Sequence, residues 1–164
     1  MKIEWWTKVN GSYWKCKYWK SKFNIKKSTK DKKILKLNEK EDGNYSLLRA
    51  ISKNNIDIVQ LLIEYALQHQ IILELNEKNF FRDYPLFCAI SNNNIEIFQL
   101  LMEYANQYKI ILKLNERNNN GEYPLYWAIL NNNIEIVQFL IEYANQHQII
   151  LEYNKNDIWK FTRN

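Results

Sequence analysis

At 164 residues with a hydrophobic fraction of 46%, the chain holds enough apolar material for one folded domain and too little length for two large ones, which excludes wholesale disorder. Glu, Gln or Asn interrupts each apolar run well before it reaches bilayer-spanning length. The net charge of +5 is uneven: residues 1–40 carry thirteen lysines against Glu4, Asp31 and Glu39, a net of +10, so the rest of the chain carries −5.

The opening residues, MKIEWWTKVN, put Glu4 and Lys8 where a secretory signal needs apolar side chains, so the expectation is an intracellular, cytoplasmic protein. Residues 1–33 interleave Trp5, Trp6, Tyr13, Trp14, Tyr18, Trp19 and Phe23 with lysines. Asn10-Gly11 is a hairpin signal, flanked by alternation that suits two short strands. A decayed repeat competes with that reading and is preferred to it. Asn10-Gly11-Ser12-Tyr13 echoes Asp42-Gly43-Asn44-Tyr45, and Ile34–Glu39 echoes Ile111–Glu116. Such a segment serves as an N-terminal cap, with Trp sealing the first repeat and Lys keeping it soluble, as a contact for an anionic membrane surface, or as an arm for single-stranded nucleic acid. In the last case Lys would meet phosphate and the aromatic rings would stack on bases. Cys16 and Cys88 lack any CxxC spacing and read as free thiols.

From Tyr45 onward one stretch is written three times, beginning at Tyr45, Tyr84 and Tyr123, with a constant period of 84 − 45 = 123 − 84 = 39 residues. A fixed period of this size marks a stacked-repeat architecture. Within the copy at Tyr84, Pro85 suits the first turn of a short helix over 85–92, whose Leu86, Ala89 and Ile90 face inward. Asn93 accepts the left-handed conformation that ends this helix, and Asn94 is placed to cap a longer one over 95–107 with Glu96 in its first turn. The long helix is apolar over more than one stripe, as a helix between two neighbours should be. Ile110–Leu114 then reads as an extended return into a polar loop.

This unit resembles the ankyrin repeat. Tyr84-Pro85-Leu86-Phe87-Cys88-Ala89 lies on that family's TPLHxA signature, Asn93–Phe98 on its GHxEIV, Leu100-Leu101 on its double leucine and Leu114-Asn115 on its Val-Asn; Asn120-Gly121-Glu122-Tyr123 matches the DGxT that opens a repeat. The resemblance covers about residues 34–155 and implies an all-α solenoid of stacked helix-turn-helix units with extended return loops. Residues 1–33 stand before it as a cap or decayed repeat, and 156–164 follow as a tail. The unit is longer than the family's usual ~33 residues. The extra residues fall after Ala105 and should lengthen the second helix by a turn. Tyr45, Tyr84 and Tyr123 replace the signature Thr, and Leu48, Phe87 and Tyr126 replace its His, so aromatic packing has to stand in for the family's Thr–His hydrogen bonding. The short helices thereby lose a side-chain cap, about 1 kcal/mol each, unless Asn44, Asp83 or Glu122 compensates.

No phosphate-cradling glycine loop is present, and His69 and His147 stand two repeats apart, too far to share a metal. Glu64, Glu103 and Glu142 recur in every copy, which reads as a solvent-facing stripe rather than as a catalytic pair. No enzyme activity, cofactor or metal is expected. Stacking constrains what the copies share, so binding is expected where they differ. The tips differ most: Asn79-Phe80-Phe81-Arg82-Asp83 stands against Lys40–Asn44 and Asn118–Glu122. The short-helix positions Arg49/Cys88/Trp127 and Lys53/Asn92/Asn131 differ as well. The resemblance implies that tips and the exposed face of the short helices line a partner-binding groove. The expected contact residues are Phe80, Phe81, Arg82, Arg49, Lys53, Asn92, Trp127 and Asn131, with a protein as partner. The last long helix is as apolar as the internal ones, so either Ile158, Trp159 and Phe161 fold back over it, or it self-associates, or further repeats follow.

Overall fold

The computed structural model describes residues 35–41 and 43–153. Among them six helices follow in pairs: α1 (Ser46–Ser52) with α2 (Ile56–His69), α3 (Pro85–Ser91) with α4 (Ile95–Tyr108), and α5 (Pro124–Leu130) with α6 (Ile134–Gln146). Short helix packs on short helix from one unit to the next, α1 on α3 on α5, and α4 packs on α2. The described residues form no regular strand, only an isolated bridge between Glu41 and Asn44 in the first tip. The readings of residues 1–33, of Cys16 and of the tail 156–164 lie outside the described residues.

Pro85 and Pro124 begin their helices, where the missing N–H leaves no partner wanting. Tyr45, Tyr84 and Tyr123 occupy the cap positions with extended backbone and no side-chain cap, and neither Asn44, Asp83 nor Glu122 supplies one. The tyrosines are buried instead. Tyr84 packs on Phe87 and Tyr123 on Tyr126, each with ring centroids 6.0 Å apart. The phenol oxygens of Tyr45 and Tyr84 donate to the carbonyls of Glu74 at 2.6 Å and Glu116 at 3.3 Å, tying each short helix to the loop that closes its own unit.

Each short helix ends at an asparagine with positive φ: Asn54, Asn93 and Asn132. The asparagine that follows caps the long helix, Asn55, Asn94 and Asn133 accepting from the amides of Ile58, Ile97 and Ile136. A second bond at this turn joins neighbouring units, since Asn94 Nδ2 donates to Asn54 Oδ1 and Asn133 Nδ2 to Asn93 Oδ1, both at 2.7 Å. The long helix α4 runs one residue past the expected end, to Tyr108, where Lys109 turns left-handed at φ 55°. The added turn lies where the extra length was expected.

Two further ladders hold the return segments in register. Leu73 N–H donates to Tyr104 Oη at 3.1 Å, and the same hydroxyl donates to Ile71 O at 3.0 Å. Tyr143 does the same for Leu112 and Ile110, and Tyr65 accepts from Leu35 N–H. Asn38, Asn76 and Asn115 each bracket the next return with both ends of the amide, Asn76 donating to Ile111 O at 2.8 Å and accepting from Lys113 N–H at 3.1 Å. The returns are thus extended chain whose backbone groups are satisfied by side chains of a neighbouring unit rather than by a sheet. Glu64, Glu103 and Glu142 are half-buried, closer to the stack than a fully solvated stripe.

The core lies between the two rows of helices and is built from Leu47, Leu48, Ile51, Leu86, Ile90, Ile97, Phe98 and Leu101, all essentially inaccessible. Each such side chain contributes about 1.5–3 kcal/mol by leaving water. At the last helix the pattern changes: Ile141 is 46% exposed where its equivalent Met102 is 5% exposed.

Candidate interaction surface

The tip of the second unit is built around Asn79. Its Oδ1 accepts from the amides of Phe81 and Asp83, both at 2.9 Å, and its N–H donates to Asp83 O, closing a turn of five residues. Asn118 repeats this arrangement in the third unit with the amides of Asn120 and Glu122. The first tip is one residue shorter between its return and Tyr45, and Glu41 and Asn44 close it by exchanging backbone bonds.

Phe80 and Phe81 project from the second tip, 74% and 66% exposed. Their backbone is held from the third unit: Asn119 N–H donates to Phe81 O at 2.9 Å and Asn119 Nδ2 to Phe80 O at 3.0 Å. Under the ring of Phe80 lies Gly43 of the first tip, where any Cβ would collide with that ring. Two large apolar side chains are therefore presented to solvent on a backbone bonded by the third unit, with the Phe80 ring over the first. Arg82, which follows them, has φ 63° and is exposed. At the same place the other tips have Gly43 and Gly121, with φ 74° and 78°. An arginine in this left-handed conformation costs about 1–2 kcal/mol relative to glycine.

The other expected contact residues fall into two groups. Arg49 is exposed on α1 and donates to Glu41 O at 3.3 Å, and Lys53 is exposed at the end of the same helix. Trp127 is half-buried on α5, edge-on to Tyr126 with centroids 5.9 Å apart, and its indole N–H is buried without a hydrogen-bond partner among the described residues. Asn92 and Asn131 have a role that sequence reading did not assign. Their amides donate to Ile51 O at 2.8 Å and to Ile90 O at 2.9 Å, each closing the end of the short helix in the preceding unit. Asn119, by contrast, belongs to the tip's architecture and was not singled out from sequence.

Charges beside the tips form a third ladder. Lys40 pairs with Glu77 at 2.8 Å, Lys78 with Glu116, and Arg117 with Glu152 at 3.8 Å. The hydrogen bond from Lys78, joined by the charges of Lys78, Lys113 and Arg82, holds the Glu116 carboxyl below the usual glutamate range. Glu77 is lowered likewise, by its hydrogen bond from Lys40 and that lysine's charge.

Cys88 is a free thiol buried on α3, and burial pushes it up to about 12, far from a reactive thiolate. His69 and His147 stack on Tyr65 and Tyr143 with centroids 4.1 and 4.2 Å apart. No group of metal-binding side chains occurs among the described residues. No helix among them is long and apolar enough to cross a membrane. The nucleic-acid reading rests on residues 1–33, outside the described part.

Paired helices stacked through asparagine, tyrosine and ion-pair ladders, with variable tips along one edge, define a helical repeat protein. The family model for ankyrin repeats in three copies matches residues 19–109 and 67–151, and the chain belongs to the ankyrin repeat family. The first match begins upstream of the three full units. No curated protein matches the chain significantly.

Proposed function

We propose that the chain binds a protein partner through the tip of its second unit, supported by Arg49, Lys53 and Trp127 on the short helices. Ankyrin repeats are generally protein–protein interaction modules, typically without catalytic activity. The observation that carries the finer reading is the exposure of Phe80 and Phe81 on a fixed backbone. Exposed aromatic side chains on an already ordered backbone leave less conformational freedom to be lost on binding, and such residues anchor interfaces. Asn92 and Asn131, at the ends of the short helices, have their amides already engaged in stacking.

The test is affinity capture from cells expressing the protein, with the unmodified chain beside Phe80→Ala/Phe81→Ala and quantitative mass spectrometry of what is retained. Specific partners should be lost from the double variant while its circular dichroism melt stays unchanged. Equal capture of every partner by both chains would remove the tip from the interface.

A further inference from the structure

Carboxylates dominate the described residues, fourteen Asp and Glu against nine Lys and Arg, and the long helices carry six carboxylates with no lysine or arginine. One place reverses the balance. A shallow open groove runs between the return segments of the second and third units, with Arg82, Lys113 and Arg117 on its walls and Ile111 and Ile149 among its apolar lining. Its two carboxylates are already engaged: Glu116 by Lys78 and, at 3.9 Å, by Lys113, and Glu152 by Arg117. Three cations thus line the groove against two carboxylates, and Arg82 has no carboxylate within ion-pair distance among the described residues. Arg82 also belongs to the tip that presents Phe80 and Phe81, so that tip adjoins the groove.

We infer that this groove and the adjoining tip bind an extended acidic peptide segment that also carries apolar side chains. Its carboxylates answer Arg82 and Lys113, and an apolar residue lies against Phe81. The occupant is read by side chains and not by added strand pairing, because the amides that a pairing strand needs are taken. Leu112 N–H is held by Tyr143, Lys113 N–H by Asn76 and Glu152 N–H by Asn115. An anionic membrane is disfavoured as occupant, since a broad negative surface would meet the carboxylate excess of the surrounding units, whereas a narrow peptide meets only the groove. The same argument sets aside nucleic acid.

The inference rests on the protein-binding reading of the tip, and its test separates the two. Fluorescence anisotropy with the full chain uses a fluorescein-labelled peptide alternating glutamate with leucine, beside the same peptide with lysine for glutamate. The lysine-rich residues 1–33 give one background in every protein variant, so the measured quantity is the difference between variants. Arg82→Ala/Lys113→Ala should weaken the acidic peptide by about fivefold, as expected for two partly exposed ion pairs. Phe81→Ser should also weaken it, Lys36→Ala should not, and the lysine peptide should show no dependence on Arg82 or Lys113. Equal affinity of the unmodified chain and Arg82→Ala/Lys113→Ala for the acidic peptide would overturn the inference. So would sedimentation with phosphatidylserine vesicles that depends on Phe80 and Phe81. If cellular partners are lost with Phe80→Ala/Phe81→Ala while the peptide ignores Arg82 and Lys113, the inference falls and the protein-binding reading stands.

Discussion

Arg82 is the one residue of the tips, among those described, whose backbone conformation works against its own side chain. Its counterparts Gly43 and Gly121 adopt nearly the same φ without a Cβ to crowd the carbonyl, so the scaffold has a cheaper solution at this position and does not use it here. Arg82→Gly should therefore stabilise the protein by about 1 kcal/mol in urea denaturation, while weakening acidic-peptide binding. A destabilised Arg82→Gly would mean that the arginine side chain contributes more to the fold than its conformation takes away. Phe80 and Phe81 were legible in the sequence because adjacent aromatics in a polar loop stand out. What fixes them was not legible, since Asn119 stands 39 residues beyond Phe80 and Gly43 in the preceding unit.

Among the elements, helix boundaries could be read in advance because their signals are local. Proline at the first turn, asparagine with positive φ and asparagine as cap act within a few residues. The ladders between units are different, for Tyr104 reaches Leu73 and Asn131 reaches Ile90, contacts that a reading of one helix cannot supply. Copies that differ at Lys53, Asn92 and Asn131 pointed to binding, yet two of the three residues close the helix of the unit before. Tyr104→Phe leaves a buried amide and a carbonyl on the return of the first unit without a partner and should destabilise by about 1–3 kcal/mol, measured by urea denaturation. The ion-pair ladder adds a pH dependence. Glu77 and Glu116 have folded values below their unfolded ones, so their contribution is present above the ordinary glutamate range and lost as pH falls through the lowered folded values. The melting temperature should drop on acidification below about pH 4.3, the unperturbed glutamate value, and less steeply in Glu77→Gln/Glu116→Gln.

Over the whole molecule, stability is a sum of similar units and the interfaces between them, so the same position matters differently along the stack. Met102 is buried between neighbours, whereas Ile141 at the equivalent place in α6 remains half open among the described residues. Met102→Ala should cost about 2–3 kcal/mol and Ile141→Ala less than about 1, a difference that urea midpoints resolve. Legibility follows the same division. The period, the helix pairs and the returns follow from residues that recur every 39 positions, while the proposed interaction surface is drawn from one aberrant tip and the charges beside it.

The central claim, that binding belongs to the second tip and the recurring helices are scaffold, is tested most directly by photo-crosslinking in cells. A benzophenone amino acid would replace Phe81 in one chain and Glu96, exposed on α4, in another. The account predicts a discrete crosslinked protein from position 81 and none from position 96. Crosslinking of the same partner from position 96 with equal yield, or from position 96 alone, would contradict it.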